Sequence, residues 1–311
     1  GIGGGSPLDA AKAIALMIAN PDKDEEVLYQ ANPLPYLPVV CVPTTCGTGS
    51  EATPYSILTL HKQKTKQSIS HKIYPKLALM DAKYLKTMSR TGLVNTCVDA
   101  LAHLLESYLN TNTNELNRIY SAEGLRMWAQ FKENLKNDVV TDEDYEKMLH
   151  ASMVAGMAIT HTGTAIPHGL SYPITYALGI PHGRAVGMFL GGYVECYQDR
   201  KEAEAAVALL GFEGVAAFRQ FMRELLGIVE IGEEMLAVSV QSVLDALRED
   251  TILVSFMLVN NETGAVTDIS AISRAIRKAG SQALIHCDAV QGFMKVPFTP
   301  ATLCADLITV S

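Results

Sequence analysis

Asp99 and His103 lie four residues apart in a stretch, Leu93 to Asn110, whose Val94, Val98, Leu101, Leu105 and Tyr108 repeat at helical spacing. A helix stacks such a pair one above the other, so a carboxylate and an imidazole face the same point. That combination suits zinc or ferrous iron, and it is equally the ordinary i,i+4 pair of a helix surface. Downstream, the run from His161 through Pro167-His168-Gly169 leads to Pro181-His182-Gly183, two Pro-His-Gly triplets fourteen residues apart. Five of the eight histidines (His103, His150, His161, His168 and His182) fall between positions 103 and 182. Pro-His-Gly is poor helix-interior sequence, which predicts histidines at helix ends or bends, aimed inward by the backbone. One aspartate and three histidines would close a ligand set with room for a substrate oxygen.

These residues need elements to hold them. The amphipathic stretch from Leu170 to Leu178 fills the gap between the triplets. At the N-terminus, Gly1-Ile2-Gly3-Gly4-Gly5-Ser6-Pro7 precedes an Ala-rich segment that Asn20-Pro21 breaks after Ala19. Ser6 is the expected N-cap, Pro7 the first helical residue and Asp9 the acidic partner of a capping box. Glycines before a helix start let backbone N–H groups approach a phosphate, and the helix dipole favours its charge. A plain tight turn fits the same residues. A short apolar strand, Val39 to Val42, leads into Pro43-Thr44-Thr45-Cys46-Gly47-Thr48-Gly49-Ser50-Glu51, whose hydroxyls suit sugar and phosphate oxygens. Lys66 stands on a polar strand, either a solvated surface lysine or a cation directed at a cofactor.

Taken together, Gly3-Gly4-Gly5-Ser6-Pro7, the Pro43–Glu51 loop, Asp99-Ala100-Leu101-Ala102-His103 and the paired triplets resemble the iron-containing (group III) alcohol dehydrogenases over about residues 1–230. The resemblance implies metal ligation by Asp99, His103, His168 and His182, with Fe²⁺ or Zn²⁺ as the ion. It implies NAD(P) contacts from Gly4, Gly5 and Ser6 to the diphosphate, and from Thr44, Thr45, Thr48, Ser50 and Lys66. It implies hydride transfer between a small alcohol or aldehyde and the nicotinamide. The chain departs from the pattern at Tyr172, where many members carry a further histidine four residues after the third ligand. Family members also have strands and helices upstream of the phosphate loop, so the cofactor domain is expected to lack its N-terminal part, and NAD versus NADP stays open.

After Gly227 the pattern changes to helix over Val238–Leu247, a continuous buried-type strand over Ile252–Val259, helix over Ile269–Ala279, and strands at Ala283–Asp288 and from Leu307. Val259-Asn260-Asn261-Glu262-Thr263-Gly264, His286-Cys287-Asp288-Ala289-Val290-Gln291 and the run to Ser311 resemble the class V aminotransferase-like cysteine desulfurases. That resemblance implies vestigial pyridoxal phosphate contacts from Asn261, Asp288, Gln291 and Ser311, without the Schiff-base lysine, which would follow Ser311. The plain alternative is polar residues at strand ends of a partial sheet.

The fold expected is α/β plus all-α. It comprises a partial NAD(P)-binding domain over 1–88, a helical metal-binding domain over 89–232 lacking its C-terminal part, and a βαβ fragment of a PLP-transferase large domain over 238–311. The leading function is a metal-dependent alcohol dehydrogenase, as a fragment or fusion. The alternatives are an inactive desulfurase fragment and a non-catalytic metal-binding chimera. With 25 basic against 33 acidic residues and no basic runs, nucleic acid and anionic membrane are poor partners. No apolar stretch reaches the ~18 residues of a spanning helix, and the Gly-rich start carries no secretory leader. Six scattered cysteines without CxxC spacing fit a reduced, cytoplasmic protein. Open strand edges would favour a homo-oligomer.

Overall fold

The computed structural model describes residues 1–60, 65–227, 240–259, 266–293 and 295–310. The chain divides into two compact units, Gly1–Ile228 and Val229–Ser311.

The first unit joins α/β and helical parts. Strand β1 (Ile2–Gly3) enters helix α1 (Gly5–Ala19), and β2 (Val40–Pro43) lies parallel between β1 and β5 (Leu77–Ala78). An antiparallel hairpin, β3 (Ile57–Leu60) with β4 (Thr65–Ser68), pairs Thr59 with Lys66. Leu8, Leu16, Cys41, Ile69 and Ile73 form the core of this part. The helical part runs α2 (Arg90–Tyr108), α3 (Glu115–Asn137), α4 (Asp142–Thr162), α5 (Ile166–Leu178), α6 (His182–Cys196), α7 (Arg200–Leu209) and α8 (Val215–Leu226). Its core gathers on Trp128, the single tryptophan, with Leu101, Leu104, Phe131 and Phe218. Side chains start these helices in sequence-legible ways: Ser89 accepts from Gly92 N, and Asn114 and Thr141 each close a capping box.

Helix α1 starts differently from the expectation. It begins at Gly5, Gly4 is the N-cap, and no side chain caps it. Asp9 is occupied elsewhere: its carboxylate accepts from Ser50 Oγ at 2.6 Å and from Ile57 N at 3.0 Å. The first turn of α1 is therefore bare. One turn on, Lys12 is wholly buried, and its ammonium donates to Ser50 O, Ser50 Oγ, Thr53 O and Tyr55 O at 2.7 to 2.9 Å. Burial works to lower the Lys12 pKa, with the nearby Asp9 charge opposing it. Four oxygen acceptors offset the cost of burying an ammonium, so this one side chain ties α1 to the loop that follows β2.

Glycines set how closely the helical part packs. A Cβ on Gly183 would fall 1.8 Å from the Asn95 carbonyl oxygen and 3.2 Å from the Asp99 Cβ, so α6 meets α2 backbone to backbone. A Cβ on Gly169 would meet nothing within 4 Å. The two Pro-His-Gly triplets thus differ: only the second needs its glycine for packing.

The second unit is a parallel sheet in the order β6 (Leu253–Met257), β7 (Leu284–Asp288), β8 (Leu307–Thr309). Helix α10 (Ile269–Lys278) makes the β6-to-β7 crossover, with α9 (Val240–Ala246) and α11 (Pro300–Leu303) beside the sheet. The expectation that the first strand is buried on both faces is not met. Val254, Phe256 and Ile285 pack on Val243, Ile272 and Ile276, whereas Leu253 and Leu284 are about half exposed. Among the described residues the helices cover one face, and the alternate residues Leu253 and Leu284 stand on the other.

Two outcomes follow, both measured by urea unfolding with Trp128 fluorescence. Gly183→Ala is expected to cost about 3 kcal/mol or more, because a backbone oxygen must retreat, while Gly169→Ala is expected to be neutral or stabilising by up to ~1 kcal/mol. Equal effects would refute the packing asymmetry. Lys12→Met is expected to cost about 3 kcal/mol, because it orphans several buried acceptors.

Candidate metal centre and nucleotide cleft

The helix predicted from Leu93 carries Asp99 and His103 on one buried face of α2. His168 lies in the first turn of α5 and His182 is the first residue of α6, both at helix ends as expected. Donor atoms of Asp99, His168 and His182 lie within 4.8 Å of one another. Asp99 Oδ1 stands 3.4 Å from His168 Nε2 and 3.6 Å from His182 Nε2. His103 stacks on His168 with ring centroids 4.5 Å apart, next to the three converging donors and outside their set.

Outer partners aim these rings. His168 Nδ1 faces Glu106 Oε1 at 2.8 Å, His103 Nδ1 faces the Gly47 carbonyl at 3.3 Å, and His182 Nδ1 faces Ser171 Oγ at 3.4 Å. The Ser171 hydroxyl donates to His168 O at 2.7 Å, so toward His182 it accepts. An Nδ1–H on each ring satisfies all three contacts and leaves each Nε2 bare, the form a metal ligand needs. Asp99 Oδ1 and His168 Nε2 are buried with no hydrogen-bond partner. Orphaned acceptors of this kind are costly unless something else occupies the gap between them. The residues present fit a divalent cation.

Electrostatics agree with a site built around one charge. Burial works to raise the Asp99 carboxyl, but His103, His182 and His168 outweigh it and hold it well below the usual carboxylate range. Burial pushes His182 down to about 4 and lowers His103. His168 moves the other way, to about 10, because Glu106 and Asp99 flank it and overcome its burial. A proton on His168 balances two carboxylates where a cation would otherwise sit.

Glu106 is a residue that sequence reasoning missed. Fully buried on α2, it accepts from Ala165 N, from His168 N at 3.1 Å and from His168 Nδ1. Its signal was present: Asp99, His103 and Glu106 stand at i, i+4 and i+7, one continuous helix face.

Asp99, His103, His168 and His182 line a cleft of about 820 Å³. Gly4, Gly5, Ser6, Thr45, Thr48, Ser50 and Lys66 also line it, bringing most of the expected cofactor residues to one place. Thr44 is the exception: its N–H donates to Gly3 O at 2.9 Å, continuing the strand pairing, and it is not among the lining residues. The Ser50 hydroxyl is held by Asp9 and Lys12. A Cβ on Gly5 would fall 2.6 Å from Thr48 Cγ2, so the uncapped α1 N-terminus and the threonine loop leave a cradle that only backbone can line. That arrangement fits a diphosphate. Tyr172 lines the cleft and stacks on His182 at 5.6 Å, its phenol pushed up to about 12 by burial. In the second unit, Asp288 Oδ1 accepts from Val290 N, and Gln291 Oε1 accepts from Lys295 Nζ at 3.4 Å. Asn261 and Ser311 lie outside the described residues.

Comparison with known proteins places this geometry. Residues 1–82 match the family model described as iron-containing alcohol dehydrogenase, and residues 93–263 match the model of the C-terminal part of the Fe-containing alcohol dehydrogenase family. Residues 221–311 match class-V aminotransferases. The chain is 35% identical over 193 residues to a probable alcohol dehydrogenase, EutG, of Salmonella typhimurium, covering 60% of this chain and 48% of that one. It is 31% identical over 207 residues to the 4-hydroxybutyrate dehydrogenase of Clostridium kluyveri, covering 64% and 54%. Among solved structures, an iron-containing alcohol dehydrogenase of Thermotoga maritima superposes with a TM-score of 0.68 at 36% identity, covering 76% of this chain and 65% of that one. A sulfoacetaldehyde reductase of Bifidobacterium kashiwanohense, solved with NAD+, superposes with a TM-score of 0.68 at 26% identity, covering 78% and 67%. The chain spans about half the length of the two curated relatives named here. With these matches and a three-donor centre opening on a phosphate-type cradle, the chain belongs to the iron-containing alcohol dehydrogenase family.

Proposed function

We propose that this chain carries the phosphate loops and metal helices of an NAD(P)-dependent alcohol dehydrogenase acting on a small alcohol or aldehyde. One observation carries this reading: Asp99, His168 and His182 converge in the cleft onto which the bare N-terminus of α1 opens. The division into a cofactor part over 1–88, a metal part over 89–232 and a transferase-like part over 238–311 belongs to this proposal, supported by the two separate apolar cores of the first unit.

Fe²⁺ or Zn²⁺ bound by Asp99, His168 and His182, with His103 beside them, would supply Lewis acidity toward the substrate oxygen, and a nicotinamide would exchange the hydride. The chain does the rest. Gly4, Gly5 and Ser6 present backbone N–H groups to the diphosphate, and Thr45 and Thr48 offer hydroxyls beside it. Lys66 adds a positive charge on the hairpin wall of the same cleft. Glu106 fixes the tautomer and plane of His168 through Nδ1. Tyr172, protonated throughout the neutral range, lines the cleft beside His182 and would offer its O–H to a substrate oxygen there. Substrate and cofactor thus meet in a wall-lined cleft, where positioning supplies much of the rate.

Pyridoxal phosphate enters this reading only as a vestige: Asp288 Oδ1 accepts from Val290 N and Gln291 Oε1 from Lys295 Nζ. None of the six cysteines is in a disulfide, which suits the cytoplasm. Among the described residues no helix is long and apolar enough to cross a membrane. Self-association through open sheet edges is retained as part of the proposal.

Anaerobic loading with Fe²⁺, or loading with Zn²⁺, is expected to give about one equivalent of bound metal, lost in Asp99→Ala. Glu106→Gln is expected to weaken uptake by roughly 10- to 100-fold. Metal analysis and calorimetric titration read both. A wild-type chain without stoichiometric metal, or an Asp99→Ala chain that keeps it, would sink the assignment. Metal uptake without nicotinamide binding would instead support a non-catalytic metal-binding chain.

A further inference from the structure

Cys46 and Cys97 are 51 positions apart in the sequence, yet their Sγ atoms stand 3.5 Å from each other, both side chains enclosed. Cys46 sits in the loop after β2, and Cys97 lies on α2 two residues before Asp99. Among the described residues no other two thiols are in contact.

The backbones on either side hold this approach. A Cβ on Gly47 would fall 2.8 Å from Thr96 O and 3.0 Å from Thr96 Cα, so loop and helix already press together where the sulfurs meet. Gly49, at φ +57°, leaves the same lack of room on the other side: a Cβ there would fall 2.7 Å from Gly156 Cα on α4. Trp128 Nε1 donates to Cys97 O at 2.9 Å and anchors that turn of α2. A disulfide needs its sulfurs about 2.05 Å apart. From 3.5 Å the two sulfurs have about 1.5 Å left to close. The residues just before each cysteine, Thr45 and Thr96, line the cleft, and the two thiols are enclosed behind that wall.

We propose that Cys46 and Cys97 are a redox modification site, at which a small hydroperoxide converts the two thiols into a disulfide that staples the 44–50 loop to α2. Cys46 sulfur attacks the peroxide, cleaving its O–O bond, and becomes a sulfenic acid while an alcohol leaves (water, for hydrogen peroxide). Cys97 sulfur then attacks the sulfenic sulfur, and the S–O bond breaks with release of water. Two thiols and one hydroperoxide give one disulfide, one alcohol and one water, the two electrons passing from sulfur to peroxide oxygen. The staple joins the loop bearing Thr45 and Thr48 to the helix turn bearing Asp99. It fixes one width of the cleft, whatever the cleft binds.

The full chain, reduced and then treated with hydrogen peroxide, is alkylated after unfolding and mapped by peptide mass spectrometry. Expected are a Cys46–Cys97 linked peptide, two fewer alkylated thiols, and reversal by dithiothreitol. Amide exchange over 44–50 is expected to slow about tenfold in the oxidised chain. Cys97→Ser should give no linked peptide and no slowing, with Cys46 trapped as a dimedone adduct, and Cys46→Ser should also give no linked peptide. Free thiols at both positions in a peroxide-treated chain that keeps its native circular dichroism would overturn the proposal. Linked peptides joining other cysteines would do the same, and a Cys46–Cys97 link without slower exchange would overturn the staple.

Discussion

A single buried carboxylate organises the helical half of the first unit. Glu106, on α2, receives two backbone N–H groups at the start of α5 and the imidazole Nδ1–H of His168. Helix α5 has no side-chain cap of its own. The cap comes instead from another helix, about sixty residues earlier in the chain. This makes three structural facts inseparable: where α5 begins, which way its first turn faces, and which nitrogen of His168 is bare. A buried charge tolerates few alternatives, because moving any of its donors leaves it unpaired in a low dielectric.

Lys12 does the complementary work in the α/β half. Its ammonium draws the carbonyls of Ser50, Thr53 and Tyr55 around itself, and Asp9 collects the Ser50 hydroxyl and the Ile57 amide. Two charged residues on α1 therefore shape the exit of the second loop, while the N-terminus of the same helix is left without a side-chain cap. A self-capped helix start would compete with an incoming anion for those N–H groups. The chain spends its acidic residue on the neighbouring loop and keeps its first-turn amides open.

The two halves meet through close backbone approach rather than long side chains. Gly47 against Thr96 and Gly49 against Gly156 each bring main chain to main chain across the halves, and Gly183 against Asn95 does the same within the helical half. Such contacts leave little slack, and the donors of Asp99, His168 and His182 converge because the helices carrying them have almost no freedom to separate. The second unit is built with less enclosure. Among the described residues its sheet is covered on one face, and residues 221–311 match class-V aminotransferases in sequence.

Much of this was legible in the residues. Helical spacing placed Asp99 and His103 on one face, Pro-His-Gly placed two histidines at helix ends, and the helix–strand alternation of the tail was readable from hydrophobic runs and glycines. These are local properties, set by periodicities of a few residues and by the φ demands of proline and glycine. Tertiary structure decided what those periodicities do not encode. Asp9 and Ser6 read as a capping box until Ser50 and Ile57, some forty residues away, claimed the carboxylate. Glu106 read as one more polar residue on α2 until α5 brought it three N–H donors. Cys46 and Cys97 read as scattered thiols until two glycine-lined approaches set them in contact. In each case the partner lies far along the chain, and a hydrogen bond or a sulfur contact is decided by position in space, which spacing along a sequence does not carry.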